Sequence, residues 1–235
     1  MELVIEGLTI KLGKKNNISH LDFRGSAGEV IGLVAPNGTG KTTLFRALAA
    51  LLPIAKGSVS IGGIPLLTQR KNYMSQLFFV EGVENLYINL TPRQHLLYVA
   101  HAWKSQKRAQ DIAQLLGMQA YLDTPVKKLS LGMKQHLLIG MYLISESPVL
   151  LLDEPLNGLD PSSVELVNRC LKQLSAERRL VILSSHDLFN LEKVCSRVLF
   201  LKNKRLEHQV TQMQSLEEEY KRLFHGEEVG ANAEI

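Results

Sequence analysis

The chain opens with short apolar runs of strand type, Leu3-Val4-Ile5, Ile18 to Phe23 and Val30 to Val34, separated by Gly7, Gly13 and the segment Gly25 to Gly28. Such runs broken by glycine predict an antiparallel N-terminal sheet leading into a first core strand. From Thr42 to Leu52 the period changes. Leu44, Leu48, Leu51 and Leu52 recur at helical spacing, and Pro53 closes the run, so a helix is expected there. Gly57 to Gly63 returns as strand and turn, and Tyr73-Met74-Ser75-Gln76 reads as the close of the next short strand.

Little periodicity follows until Leu90. Then Pro92 stands behind Thr91, and Gln94 lies three positions after Thr91, the spacing of a capping box at the head of a helix running through Trp103. A second helical run, Ala109 to Leu116, stops at Gly117, and a third begins after Ser130 and continues to about Ile144. Residues 77–145 therefore read as a helical subdomain inserted into an α/β core formed by 1–76 and 146–210. The core resumes with the apolar run Pro148 to Leu152, suited to a buried parallel strand. Helix 161–178, strand Leu180 to Leu183, helix 187–194 and strand Val198 to Leu201 follow in the order of a parallel sheet with crossover helices. A short strand, an amphipathic helix from Met213 to Phe224 within 212–224, and a tail from Gly226 to Ile235 expected to be mobile complete the chain, with 1–225 taken as one domain.

Composition narrows the class without naming a function. A chain of 235 residues, 45% apolar and 21% charged, is long enough for a sizeable core. A net charge of +4 argues weakly for an anionic partner and does not call for nucleic acid. Cys170 and Cys195 show no C-x-x-C spacing, which fits a reducing compartment. The N-terminus lacks the basic and apolar regions of a signal peptide, and the apolar runs fall far short of the ~20 residues of a membrane span.

The candidate chemistry begins at Ala35-Pro36-Asn37-Gly38-Thr39-Gly40-Lys41-Thr42-Thr43, an apolar strand running into a Gly/Asn loop that opens a helix. Gly38 and Gly40 let successive backbone N–H groups turn inward, the helix N-terminus adds partial positive charge, and Lys41 adds a full one, as a phosphate site requires. The Thr42 hydroxyl is placed to ligate a Mg²⁺ shared with the phosphates. The strict G-x-x-x-x-G-K-[ST] pattern fails at Ala35, whose methyl is tolerable at negative φ. Downstream, Asp153 and Glu154 end the buried run Leu150-Leu151-Leu152, where open α/β sheets place ligands. In a nucleotide site Asp153 would hold Mg²⁺ and Glu154 would deprotonate a water aimed at the γ-phosphate. His186, after Ser184-Ser185, is placed to hydrogen bond a γ-phosphate oxygen or that water. Ser130, heading Leu131-Gly132-Met133-Lys134-Gln135 at a helix start, forms either a second anion site or a plain N-cap.

Residues 35–43, Gln76, 129–135, 150–161 and His186 stand in the order and spacing of an ATP-binding cassette (ABC) ATPase, and the chain resembles that family over nearly its whole length. The resemblance implies a P-loop NTPase fold of RecA type: a mostly parallel sheet, an N-terminal antiparallel β subdomain and an inserted helical subdomain. It implies ATP and Mg²⁺ as ligands, with Asn37 to Thr43 holding the phosphates. Gln76 would be the hinge glutamine contacting Mg²⁺ and the attacking water, and Asp160 part of the D-loop. Ser130, Gly132 and Met133 would form the signature that completes the ATP site of a second chain, an identical copy or a related ATPase subunit, in a head-to-tail sandwich. Leu131 and Met133 depart from the usual signature. Leu12 stands where the family places an aromatic ring against adenine, so weak base stacking, with modest ATP affinity or looser base preference, is expected. The implied function is an ATPase on the inner, cytoplasmic face of the cell membrane that drives a separate permease, with drug, peptide or bacteriocin export favoured. A soluble mechanical ATPase is the alternative.

Overall fold

The computed structural model describes residues 1–13, 15–211 and 215–224. Strands β1 (Glu2–Leu12) and β2 (Lys15–Ser26) form an antiparallel hairpin, and β3 (Val30–Val34) enters the core. Helix α1 (Lys41–Leu48) follows the loop at 35–40, and then come β4 (Lys56–Ile61), β5 (Ile64–Pro65), α2 (Arg70–Met74) and β6 (Leu77–Val80). Helices α3 (Pro92–Trp103), α4 (Ala109–Leu115) and α5 (Leu131–Ser145) make the helical block. The chain continues through β7 (Val149–Leu152), α6 (Pro161–Ala176), β8 (Leu180–Ser184), α7 (Leu188–Val194), β9 (Arg197–Lys202), β10 (Arg205–Val210) and α8 (Leu216–Phe224).

The strands form two sheets. One, in the order β2-β1-β4-β5, is antiparallel throughout, as the N-terminal pattern predicts. The other runs β10-β9-β3-β8-β7-β6, parallel except for the β10 edge. Its central strands β3, β7 and β8 are buried at every position, and apart from Gly32 and Ser184, the last residue of β8, every side chain in them is apolar, as two covered faces require. In β7, Leu150 and Leu152 face the core shared with α5 and α6, while Val149 and Leu151 face the core shared with α1 and the antiparallel sheet; Val181 and Leu183 alternate with Leu180 and Ile182 in β8. Alternation of side-chain direction thus divides one strand between two cores.

Three sequence expectations change. Tyr73 and Met74 lie in α2 and not in a strand. The apolar run Leu77–Val80 is a strand of the large sheet, paired in parallel with β7, so the core extends past 76 and the helical block begins after it. Helix α1 stops at Leu48, because Ala50 adopts a left-handed conformation (φ 55°); Leu51 N then donates to Arg46 O and Ala50 N to Ala47 O, the Schellman pattern without its usual glycine. Leu51 is left exposed. The expected helix start at Met213 and the tail from Gly226 lie outside the described residues; α8 begins at Leu216 within them.

Besides the core they share, one tyrosine hydrogen-bonds the helical block to two strands of the sheet. Tyr142 of α5 donates its hydroxyl proton to Leu151 O (2.6 Å) and accepts from Val80 N–H (3.0 Å), and its ring meets Phe78 edge-on at 5.0 Å. Within the block, Gly140 lets helices approach closely: a Cβ there would lie 3.2 Å from both Leu96 and Ile112. The start of α3 carries the predicted capping box, with Thr91 and Gln94 bonded reciprocally. Behind it, buried His95 accepts the Tyr87 N–H at Nε2 (3.0 Å) and faces Thr91 O at Nδ1 (2.9 Å). A backbone N–H can only donate and a carbonyl only accept, which fixes the neutral ring with its proton on Nδ1.

Burial lowers the His95 pKa from its ordinary 6.5, opposed by the Thr91 carbonyl. Because the folded value is below the unfolded one, its contribution is complete above about 6.5 and is lost as pH falls below that value. Urea unfolding midpoints measured between pH 7.5 and 5.5 should therefore drop toward acid in the wild type and less steeply in His95→Gln; equal slopes would contradict the assignment.

Candidate active site

The parallel register brings the carboxyl ends of β3, β7, β8 and β6 to one edge of the sheet, and the candidate residues follow those ends. After β3, Gly38 (φ 76°) and Gly40 (φ 119°) take left-handed conformations that bend the loop onto α1. Ala35 is buried and is not among the residues of positive φ, so its methyl costs nothing. Lys41, buried at the first turn of α1, donates its ammonium to Ala35 O (2.7 Å) and lies 3.3 Å from His186 Nε2. Burial lowers its pKa, and the Glu154 and Asp153 charges oppose that.

The hydroxyl of Thr42 donates to Asp153 Oδ2 at 2.6 Å, joining the head of α1 to the end of β7. The next residue, Glu154, stands in the left-handed region (φ 48°). Burial raises the Glu154 pKa, with His186 and Lys41 pulling the other way. His186 Nε2 lies 3.0 Å from Glu154 Oε1, yet that buried oxygen has no hydrogen-bond partner, so the contact is electrostatic and the oxygen remains a free acceptor. These groups line a cavity of about 540 Å³, with Asn37 to Thr43 on one wall and Asp153, Glu154, Asn157 and His186 on another.

Other candidates lie apart from it. Ser130 is the N-cap of α5 and accepts the Met133 N–H at 3.3 Å; it is exposed, and it, Gly132 and Met133 do not line the cavity, although Leu131, Gln135 and Leu138 of the same helix do. The Asp160 carboxylate is spent on capping α6, accepting from Ser162 N (2.9 Å) and Ser163 N (3.0 Å). Leu12, 41% exposed at the end of the β1–β2 hairpin, is also absent from the cavity wall.

Gln76 is a correction. Its carbonyl accepts the Val149 N–H at the amino ends of β6 and β7, and its side chain donates to Ser75 Oγ (3.1 Å). At about 3.3 Å per residue the four residues of β6 separate it from the site by roughly 13 Å. It cannot contact a metal or a water at the other end. The residues that do reach the cavity from this strand are Glu81, Gly82, Val83 and Glu84, just past its carboxyl end. Glu81 forms an ion pair with Arg46 of α1. The sequence carried a signal for it: Leu77-Phe78-Phe79-Val80-Glu81 is an apolar run ended by an acid, like Val149 to Asp153. Ser184 and Gln135 were also missed as site residues; Gln135 donates to Pro155 O at 2.5 Å and so anchors the turn after Glu154.

A phosphate loop after one parallel strand and paired acids after another define a P-loop nucleotide hydrolase. The sequence matches the family model described as ABC transporter over residues 18–157, and the chain belongs to that family. An uncharacterized ABC transporter ATP-binding protein of Bacillus subtilis (strain 168), YdbJ, is 32% identical over 212 residues, covering 89% of this chain and 69% of that protein. The bacitracin transport ATP-binding protein BcrA of Bacillus licheniformis is 33% identical over 194 residues, covering 81% of this chain and 63% of its own length. The solved structure of an ATP-binding subunit of an ABC transporter superposes with a TM-score of 0.84 at 25% identity, over 96% of this chain and 94% of that one. The chain thus spans roughly two thirds of these curated relatives. It is an ATP-binding and ATP-hydrolysing chain of that transporter family.

The position of Gln76 yields a direct check. Gln76→Ala should leave the rate of phosphate release from ATP within about 2–3-fold of wild type, the range of a substitution outside any specific contact. A loss of tenfold or more would return Gln76 to the site.

Proposed function

We propose that this chain is the motor subunit of an export-type ABC transporter, in which Glu154 is the general base for ATP hydrolysis. The supporting observation is the buried, unpartnered Oε1 of Glu154 at the wall of a cavity whose other wall is the phosphate loop. ATP phosphates would lie on the N–H groups of Asn37 to Thr43 and on Lys41, which would exchange its contact with His186 for a phosphate oxygen. A water approaching the γ-phosphorus would give its proton to Glu154, with His186 donating to a γ-oxygen, and ADP would leave.

The Thr42 hydroxyl and Asp153 carboxylate, hard oxygen donors 2.6 Å apart, fit Mg²⁺. Bound there, the ion would neutralise developing phosphate charge. Ser130, Gly132 and Met133 lie outside their own chain's cavity wall at an exposed helix N-terminus, which supports a role as the other half of a site in a second copy or a related subunit. Asp160, by capping α6, would hold the loop between the two halves.

Coupling to a permease is supported by the helical block, which exposes Tyr87, Ile88, Leu97 and Tyr98 on the loop before α3 and on α3. Among the described residues no helix is long and apolar enough to cross a membrane, so a pore would come from that separate permease, with this chain attached to the cytoplasmic face of the cell membrane. Export is favoured because a Nod factor export ATP-binding protein of Neorhizobium galegae, 28% identical over 211 residues, is among the similar chains.

Glu154→Gln should lower turnover by roughly 10²–10⁴-fold while ATP still binds, read by phosphate release and by equilibrium binding. Solubilised membranes should yield the tagged chain together with an integral membrane protein. Sedimentation with ribosomes instead would overturn the transport reading.

A further inference from the structure

We infer that Ser184 is a positioning residue that sets the relative orientation of Asp153 and Glu154 through a single hydroxyl. Strand β8 pairs in parallel with β7 so that Leu183 lies opposite Leu152, and the next step along each strand brings Ser184 beside the Asp153–Glu154 junction. Ser184 is fully buried. Its Oγ donates to Asp153 Oδ1 at 2.5 Å and accepts the Glu154 N–H at 2.9 Å. A hydroxyl has one proton to give, and here that proton is committed to the carboxylate while a lone pair holds the amide.

The consequence is geometric. Asp153 is gripped on both oxygens, Oδ1 by Ser184 and Oδ2 by Thr42, so its plane is fixed relative to the head of α1. Glu154 must occupy a left-handed backbone conformation that a residue with a side chain disfavours, and its N–H bond to Ser184 is the contact that holds it there. In that conformation Glu154 Oε1 lies 3.0 Å from His186 Nε2. Without the hydroxyl, Asp153 keeps only the Thr42 bond on Oδ2 and can turn about it, the half-buried Glu154 amide loses its acceptor, and the backbone at Glu154 relaxes. Catalytic geometry tolerates little such drift. Neither Ser184 atom needs to touch nucleotide for this role, and Ser184 does not line the cavity.

The inference rests on Glu154 as general base, and the test separates the two. Ser184→Ala, Ser184→Thr and Ser184→Val are compared with wild type and Glu154→Gln for phosphate release, and for ATP binding in EDTA, where metal chemistry is absent. Ser184→Ala should reduce kcat by roughly 10–100-fold, with metal-free ATP affinity within about 2-fold. Threonine keeps the hydroxyl and valine replaces it with a methyl of the same shape, so Ser184→Thr should recover kcat relative to Ser184→Val. The inference is overturned if Ser184→Ala loses less than about 3-fold in kcat, if threonine and valine behave alike, or if metal-free ATP affinity falls in parallel with kcat. Wild-type turnover by Glu154→Gln would instead overturn the assignment of the base, whatever the Ser184 variants do.

Discussion

Everything at the site depends on the parallel pairing of β3, β8, β7 and β6. In parallel pairing the carboxyl ends of neighbouring strands emerge at one edge, and the next residue of each strand faces the same space. Four short apolar runs therefore lead the loop from Asn37 to Thr43, the acids Asp153 and Glu154, His186 and the acid Glu81 to a single cavity. The cavity needs no long-range search by flexible loops, because the register that buries the strands also sets where their ends fall. A one-residue slip of β7 against β8 would exchange the faces of Leu151 and Leu152 and separate Asp153 from Ser184.

The two-sided burial of that sheet explains why helices of different function lie on different faces. Helix α1, whose N-terminus closes the phosphate loop, shares its core with the antiparallel sheet, while α5, whose N-terminus carries Ser130, shares the other core with α6. Tyr142 spans the gap, since one hydroxyl touches both β6 and β7 near their site ends. The shared framework is a strand-end hydrogen bond in each case: Tyr142 for the helical block, Ser184 for the acids and Thr42 for the loop.

What the sequence made legible was chemistry tied to local pattern. Gly38 and Gly40 had to bend the loop, Thr91 and Gln94 had to cap α3, and buried apolar runs ended by acids had to reach a strand end. What it hid was decided by tertiary context. Ala50 adopts a left-handed conformation without glycine's freedom, so nothing local announced that α1 ends at Leu48. Tyr73 and Met74 read as the close of a short strand, yet they lie in a five-residue helix, with Tyr73 fully buried against the core of the antiparallel sheet. Gln76 was assigned by resemblance to a family pattern, and the obstacle is topological: it precedes β6, at the amino-end edge of the sheet opposite the cavity.

The polarity of Lys41 carries the argument a step further. An ammonium buried on folding has already lost most of its water, and the loop compensates with one carbonyl, Ala35 O, at 2.7 Å. Its second neighbour, His186 Nε2, cannot serve both sides, because an ammonium asks that nitrogen to accept while the Glu154 carboxylate 3.0 Å away asks it to donate. The imidazole is thus held between two charges it cannot satisfy together, and Glu154 Oε1 is left without a hydrogen bond. A triphosphate entering the cavity resolves the conflict: phosphate oxygens accept from Lys41, and the histidine is released to donate. The unsatisfied polar geometry of the site is complementary to an anion, so the cost of burying these groups is met on folding and does not have to be met again when nucleotide binds.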